Sequence, residues 1–418
     1  MRGRPLLHTS YQADQALVNT TFKRAVLGLF LLALILIPLQ TVEGLPDLIP
    51  GVDFLAANDW LKLLSTVAIF TIGALGLNIL TGLAGQISLG HAFFMGIGAY
   101  TAAWLGAGPG PLAGMDLPMW IWLPAAGVVP ALIGLGVGPT AVRVRGLYLA
   151  FVTLGLLFVG LYVFRNWTWL TGGSQAGRPF PELQFRLWKE EVPLIDFAAD
   201  GPWFGIDLSG EAKTYFLLLG LAVLFVVIAK NIQRTRVGRA FQAVRDRDIA
   251  AEIMGVNEVR YKLLAFAISS FFAGVAGALL ASFVGRTIPE RWDLFLSVQF
   301  IAVVLIGGAG VITGSVLGAA FVVLLPRLVQ DFSGWLTEYV AEGSGFLVRI
   351  ADLIVVTGSD DWGIINIQQG ISRGLSVALF NQVLYGLLII GFLIFEPLGL
   401  YGIWLRVRNY WKGWPFTY

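Results

Sequence analysis

The sequence contains no cysteine, which excludes disulfide staples, thiolate nucleophiles and Cys-ligated metals. Histidine is nearly as scarce: His8 and His91 lie far apart and form no zinc or haem constellation. Charge is sparse too, with 13% of residues charged against 57% hydrophobic, and a mean hydropathy of +0.77. A soluble chain of this size could not cover its surface with so few charges. The formal net charge of +2 is too small to point to nucleic acid. Catalytic motifs are missing as well: no G-x-x-x-x-G-K-[ST] loop, no H-E-x-x-H, and no acid pair placed for hydrolysis. Apart from Arg349 and Asp352 in one doubtful stretch, no charge interrupts the middle of an apolar run. That argues against a proton relay or a voltage sensor, which need buried ionisable groups.

What the sequence does have is apolar length. Several runs approach or exceed the roughly 20 residues that a helix needs to cross a bilayer. They are continuous rather than alternating, so the expected fold is an all-α polytopic membrane protein and not a β-barrel. The 51 glycines suit close helix packing in lipid.

In chain order, residues 1–24 form a polar, basic N-terminal segment, and a first span follows at 25–39. No small-x-small cleavage site follows it, so it reads as a retained span, not a signal peptide. The tract Leu61–Leu105 has room for two crossings, with Gly82, Gly85 and Gly90 marking a break between them. Further spans are expected at 119–141, 146–164, 214–230 and 262–284, then at 294–306 and 314–330 around a second glycine break, and finally at 378–395. This makes ten crossings within a membrane domain of 25–397, followed by a basic tail, 398–418. Parity puts the N-terminus, the Arg143/Arg145 turn, the 231–261 loop and the tail on one face, and all are more basic than acidic. Segments 40–60, 165–213 and 331–377 fall on the other face and are acid-rich, which by the positive-inside rule makes both termini cytoplasmic.

Two features stand out for function. Gly82-Leu-Ala-Gly85-Gln-Ile-Ser88 echoes Gly308-Ala-Gly310-Val-Ile-Thr313, with Gly85 over Gly310 and Ser88 over Thr313. Broken helices expose backbone groups that can line a path. Asn78, Gly85, Gln86, Ser88, His91, Gly310 and Thr313 are therefore the candidate pathway residues. The alternative for each polar one is interhelical hydrogen bonding. The second feature is a charged island, Val237–Lys262, between two apolar spans. Phe241 and Val244 share one helical face there, as do Ile249, Ile253 and Val256. Gly255 is placed to end a helix and Asn257 to start the next. The island reads as a short helix–turn–helix on the cytoplasmic face. Its interleaved acids suit a protein partner better than anionic lipid.

Four stretches carry a family resemblance: NILTGLAGQISLGHAFFMGIGAY (Asn78–Tyr100), RVRGLYLAFVTLG (Arg143–Gly155), GRAFQAVRDRDIAAEIMGVNEVRYKLLAFAISSFFAGVAGAL (Gly238–Leu279) and IGGAG (Ile306–Gly310). With them the sequence resembles the larger membrane permease subunit of branched-chain amino acid ABC importers. The resemblance implies an inner-membrane permease whose island docks on an ATP-binding subunit, with Gly238, Arg239, Ala243, Arg245, Asp246, Ala250, Ala251 and Gly255 in the coupling element. It further implies a second, homologous permease subunit, two cytoplasmic ATPases that use ATP and magnesium, and an extracytoplasmic solute-binding protein. This chain would bind no cofactor of its own and do no chemistry. Related systems carry urea or short amides, and an ion-coupled secondary transporter is the alternative from another class. Loops 165–213 and 331–377, with the acidic Gly358–Asp361, depart from the family's pattern and leave the solute open.

Overall fold

The computed structural model describes residues 21–41, 53–108, 112, 114–143, 146–188, 193–203, 205–342, 355–356, 365–366, 375–396 and 398–413. Most of the N-terminal segment, Arg145, the acidic Gly358–Asp361 and most of the stretch around Arg349 and Asp352 lie outside these residues. The chain is predominantly helical, and a helix occupies each of the ten expected crossings. They are α1 (Thr21–Leu36), α2 (Asn58–Leu77), α3 (His91–Gly106), α4 (Met119–Arg143), α5 (Leu147–Asn166), α6 (Gly210–Arg234), α9 (Glu258–Val284), α10 (Leu294–Gly307), α11 (Ile312–Glu342) and α12 (Val377–Phe395). The island supplies α7 (Arg236–Asp246) and α8 (Asp248–Ile253), and the tail supplies α13 (Gly399–Gly413).

Among the described residues, six of these helices are long and apolar enough to cross a membrane by themselves, in α2, α4, α5, α6, α9 and α11. The chain is thus a polytopic membrane protein with six spans carried by length alone, where ten were expected. Three of the rest are shorter: α1 and α3 have 16 residues each, and the 14 residues of α10 rise only about 21 Å, short of a hydrocarbon core of about 30 Å. In the other direction, α11 runs to Glu342, well into the segment expected to be an outer loop. An Arg327–Asp331 ion pair at i, i+4 and Phe332 against Trp335 support that extension.

The core forms around α9, which packs against α2, α3 and α4. Its sequence is apolar all round and most of its length is buried, as befits a central helix. Small residues let the backbones touch. A Cβ on Gly98 of α3 would sit 2.2 Å from the Gly274 carbonyl oxygen, and one on Gly277 would sit 2.0 Å from that of Met95. By contrast, Phe151, Phe158 and Tyr162 of α5 face outward.

The acid-rich loop 165–213 is not helical throughout. Its described residues form β1 (Arg178–Pro179), β2 (Gln184–Phe185), β3 (Ile195–Asp196), β4 (Gly201–Trp203) and β5 (Ile206–Leu208). β2 pairs with β3 and β4 with β5, both antiparallel, while β1 pairs with β6 (Arg286–Thr287) just beyond α9. The acid-rich loop is thereby tied down to the bundle. Buried Arg178 strengthens the tie by donating to the carbonyls of Leu170, Leu112 and Ala103, the last in the final turn of α3.

Candidate functional site

The two glycine breaks meet. After Leu77 the helix widens over Asn78–Leu83, so that Ala84 donates to the carbonyl of Ile79 and Gln86 to that of Leu80. The chain then runs without regular structure to α3. Across from it lies the Gly308–Val311 turn between α10 and α11. Asn78 is fully buried and bridges the two: its side-chain oxygen accepts from the Gly310 amide at 2.7 Å, and its nitrogen donates to the Val311 carbonyl at 3.0 Å. A Cβ on Gly82 would sit 2.3 Å from the Gly310 nitrogen, so this approach requires glycine. Gly85 and Gly310 both adopt positive φ, +70° and +83°.

The charged island reaches into this junction. Arg245, near the end of α7, donates from Nη1 to the Gly82 carbonyl at 2.7 Å. Its Nε and Nη2 hold Asp246 at 3.1 and 3.0 Å. A Cβ on Gly85 would lie 2.5 Å from Arg245 Cγ, and one on Gly310 would lie 3.2 Å from Nη1. Gln233, at the end of α6, donates to the Gly310 carbonyl at 3.2 Å. One arginine therefore touches both breaks.

The remaining pathway candidates distribute unevenly. Gln86 is buried, donates to the Lys262 carbonyl at 3.5 Å, and has a buried Oε1 without a hydrogen-bond partner. Ser88 is buried and accepts from the Gly90 amide at 3.3 Å. His91, also buried, lies against Phe300 with ring centroids 4.9 Å apart, and its Nε2 has no partner. Thr313 is exposed, so the echo between Ser88 and Thr313 does not extend to their surroundings. Residues outside the expected set complete the break: Thr153 accepts from the Leu89 amide at 2.9 Å, and Ser297 from the Ala92 amide at 3.0 Å. They satisfy amides that a continuous helix would have bonded internally. Ser297 gave no sequence signal beyond being a small polar residue in an apolar span.

Within the island, α7 buries Phe241 and Val244, and its Gly238 makes the tight entry from α6. Arg239 is exposed and donates to the Arg234 carbonyl. Ala243 is half-buried and Ala251 buried, whereas Ala250 and Asp246 are exposed. Helix α8 ends in a tight glycine cap: the Gly255 amide, at φ +86°, bonds to Glu252 and the Val256 amide to Ala251. Asn257 then caps α9 by accepting from the Arg260 amide at 2.9 Å. Of the apolar face expected on α8, Ile249 and Ile253 point away from the protein, Ile253 being 81% exposed, while Val256 is half-buried; Met254, just past the helix, is 84% exposed beside them.

Two cavities lie elsewhere. One of about 240 Å³ is lined by Asp116, Trp122, Phe180, Glu182 and Arg186. The other, about 360 Å³, is an apolar groove between α3, α4 and α5. Neither lining includes Gln86, Ser88 or His91. Among the described residues no group of His, Asp and Glu could hold a metal ion.

Residues 60–390 match the family model described as branched-chain amino acid transport system, permease component. The chain is 34% identical over 288 residues to the high-affinity branched-chain amino acid transport system permease protein LivM of Salmonella typhimurium, and 33% identical to its Escherichia coli K12 counterpart. Each alignment covers 67% of this chain and 66% of the relative, so the chain spans just under two thirds of those proteins' length. A probable LivH permease of Methanocaldococcus jannaschii is 26% identical over 57% of this chain and 70% of its own length. No solved structure matches. With four fifths of its length inside the family model, and with its glycine-broken spans and charged island, the chain belongs to the family of branched-chain amino acid transport system permease components.

Proposed function

We propose that this chain is a permease subunit of an ATP-driven importer and forms part of the membrane path for branched-chain or related amino acids. In this reading the ten helices are ten crossings, both termini face the cytoplasm, and the membrane is a bacterial-type inner membrane. A second permease subunit, two ATPases and an extracytoplasmic solute-binding protein complete the assembly. ATP and magnesium act on the ATPases, and this chain contributes motion rather than chemistry.

One observation carries the reading. The α7–α8 element presents Ile249, Ile253 and Met254 outward, while Arg245 of the same element holds the Gly82 carbonyl and abuts Gly310. An ATPase seated on the exposed face would thus be mechanically connected to both glycine breaks through about one helical turn. Closure of the ATPases would move α8, α7 would follow, and the breaks would change their exposure. A partner shifts such an equilibrium only if it binds the two states with different affinity. The relatives' names supply the solute class, branched-chain amino acids.

The test is co-purification with the ATPases followed by ATP-dependent leucine uptake in proteoliposomes. Ile253→Glu with Met254→Glu should abolish ATPase association and uptake while leaving the chain folded. Retention of both would refute the docking role of α8. Uptake driven by an ion gradient without ATP would refute the importer class.

A further inference from the structure

Helix α13 begins immediately after the last apolar helix. Its first turn is wedged against the second glycine break. A Cβ on Gly399 would sit 2.4 Å from the Ile306 carbonyl oxygen, and one on Gly308 would sit 2.5 Å from that of Leu398. An ion pair between Arg406 and Glu396 ties it back to the end of α12. This holds α13 at the end of the bundle that Arg245 reaches from the charged island, where the apolar spans give way to polar surface.

The rest of the helix has two unlike sides. Gly402 is buried and Leu405 half-buried, facing the protein. Ile403, Trp404, Val407 and Tyr410 are all exposed. At 3.6 residues per turn these four occupy one continuous sector of about 120°. Arg406, exposed, flanks that sector on one side and Arg408, half-buried, on the other, with Lys412 four positions later in the sequence. The segment 398–418 contains no acid. The sector also continues a surface already exposed on α12 and the turn after it: Ile390, Ile394, Phe395 and Leu398.

We infer that α13 is an interfacial helix that inserts Ile403, Trp404, Val407 and Tyr410 into the surface of an anionic phospholipid bilayer, with the flanking basic side chains on the headgroups. An apolar sector bordered on both sides by arginine, with aromatic rings at its edges, is the arrangement that sits at the headgroup–acyl boundary. Its charge complements anionic lipid, and it follows directly on the exposed apolar side chains at the end of α12. The contrast with α8 is informative: there acids are interleaved with the bases, whereas α13 itself carries none and meets only Glu396, from the end of α12. Because α13 abuts Gly308, the lipid surface gives the second glycine break a fixed wall to move against.

The absence of native cysteine makes a direct test possible. Full-length variants Ile403→Cys, Val407→Cys and Asn409→Cys, each carrying an environment-sensitive fluorophore, are placed in nanodiscs of phosphatidylcholine alone or with phosphatidylglycerol. Positions 403 and 407 should emit at shorter wavelength, resist aqueous iodide and be quenched by nitroxide-labelled lipid, while 409 stays open to iodide. Adding Arg408→Gln and Lys412→Gln, which leave the Arg406–Glu396 pair intact, should weaken the phosphatidylglycerol dependence about fivefold per charge. Iodide access at 403 and 407 in both lipids would overturn the inference. So would protection that appears only after ATPase subunits are added, since the face would then belong to a protein. Equal lipid quenching with and without phosphatidylglycerol would overturn the anionic preference.

Discussion

Removing the Arg245 side chain should separate ATP use from transport. The Arg245→Ala change deletes the bond to the Gly82 carbonyl and the fork on Asp246. A charge-assisted hydrogen bond is worth about 1.5–3 kcal/mol when shielded. Arg245 is 39% exposed, so solvent brings its share to ~1–2 kcal/mol. That corresponds to roughly a 5- to 30-fold shift between a state in which α7 and the breaks move together and one in which they do not. The ATPase footprint on α8 would be untouched, because Ile249, Ile253 and Met254 lie on the outward face. In proteoliposomes holding the assembled importer, hydrolysis should persist while solute carried per ATP falls by that factor. Arg245→Lys should fall between, since an ammonium can meet Gly82 or Asp246 but cannot fork to both. An unchanged ratio of transport to hydrolysis in Arg245→Ala would refute the argument, whatever happened to the absolute rates.

Three further outcomes follow from the same geometry. Asn78→Leu strands the Gly310 amide and the Val311 carbonyl in a buried place, costing about 1–3 kcal/mol. The unfolding midpoint in detergent should drop by several degrees, and an unchanged midpoint would reject the bridge. Gly98→Ala drives a methyl against the Gly274 carbonyl and should cost about 1–3 kcal/mol or more by overpacking, whereas Gly155→Ala, with open space around it, should be near neutral; equal effects would reject the tight α3–α9 crossing. Glu290, in the turn between α9 and α10, titrates below the ordinary glutamate value. Burial alone would raise it, but the Ser174 hydroxyl and Arg165 outweigh burial. A depressed carboxylate contributes stability that is full above its unfolded-state pKa and lost as pH falls through its lower folded value. Acid should therefore loosen the Arg165–Glu290 link in the wild type, and Glu290→Gln should flatten that part of the pH–stability profile.

Much of this architecture was legible in the sequence because lipid imposes simple rules. Apolar length located the helices, and small residues flagged where backbones approach. Cap chemistry located the island's turn: Gly255 ends α8 and Asn257 starts α9 as their residue types require. Span number was less legible, since α10 and α3 are shorter than a free-standing span and depend on neighbours for burial. The strands of the outer loop carry no periodicity, being only two or three residues long. The site was half visible. Gly85 and Gly310 were recognisable as breaks, and Arg245 as part of the island. That one residue touches both breaks depends on a contact across 163 positions of sequence, which no local pattern encodes. The apolar face of α8 was visible as a pattern, but only the fold decided that it points outward while the one on α7 points in.

The composition of the junction bears on why it could serve as the moving part of the proposed importer. A continuous helix satisfies its backbone groups internally and resists bending as a unit. Here the Gly310 amide and carbonyl, the Gly82 and Val311 carbonyls and the Leu89 and Ala92 amides are satisfied by side chains of Asn78, Gln233, Arg245, Thr153 and Ser297. Each neutral bond among these contributes a net of about 1 kcal/mol or less in a membrane interior, and the Arg245 bond ~1–2 kcal/mol, so they can be exchanged singly. Moving such a two-state equilibrium from 1:99 to 99:1 needs about 5.5 kcal/mol of differential affinity, roughly the worth of these six bonds together. Replacing the glycine breaks by continuous helix would raise that requirement to the cost of opening buried backbone bonds with no substitute partner. The placement of polar side chains opposite the breaks, rather than any charged residue in the bilayer, is what would let a cytoplasmic partner work on this path with the energy a nucleotide-driven closure can supply.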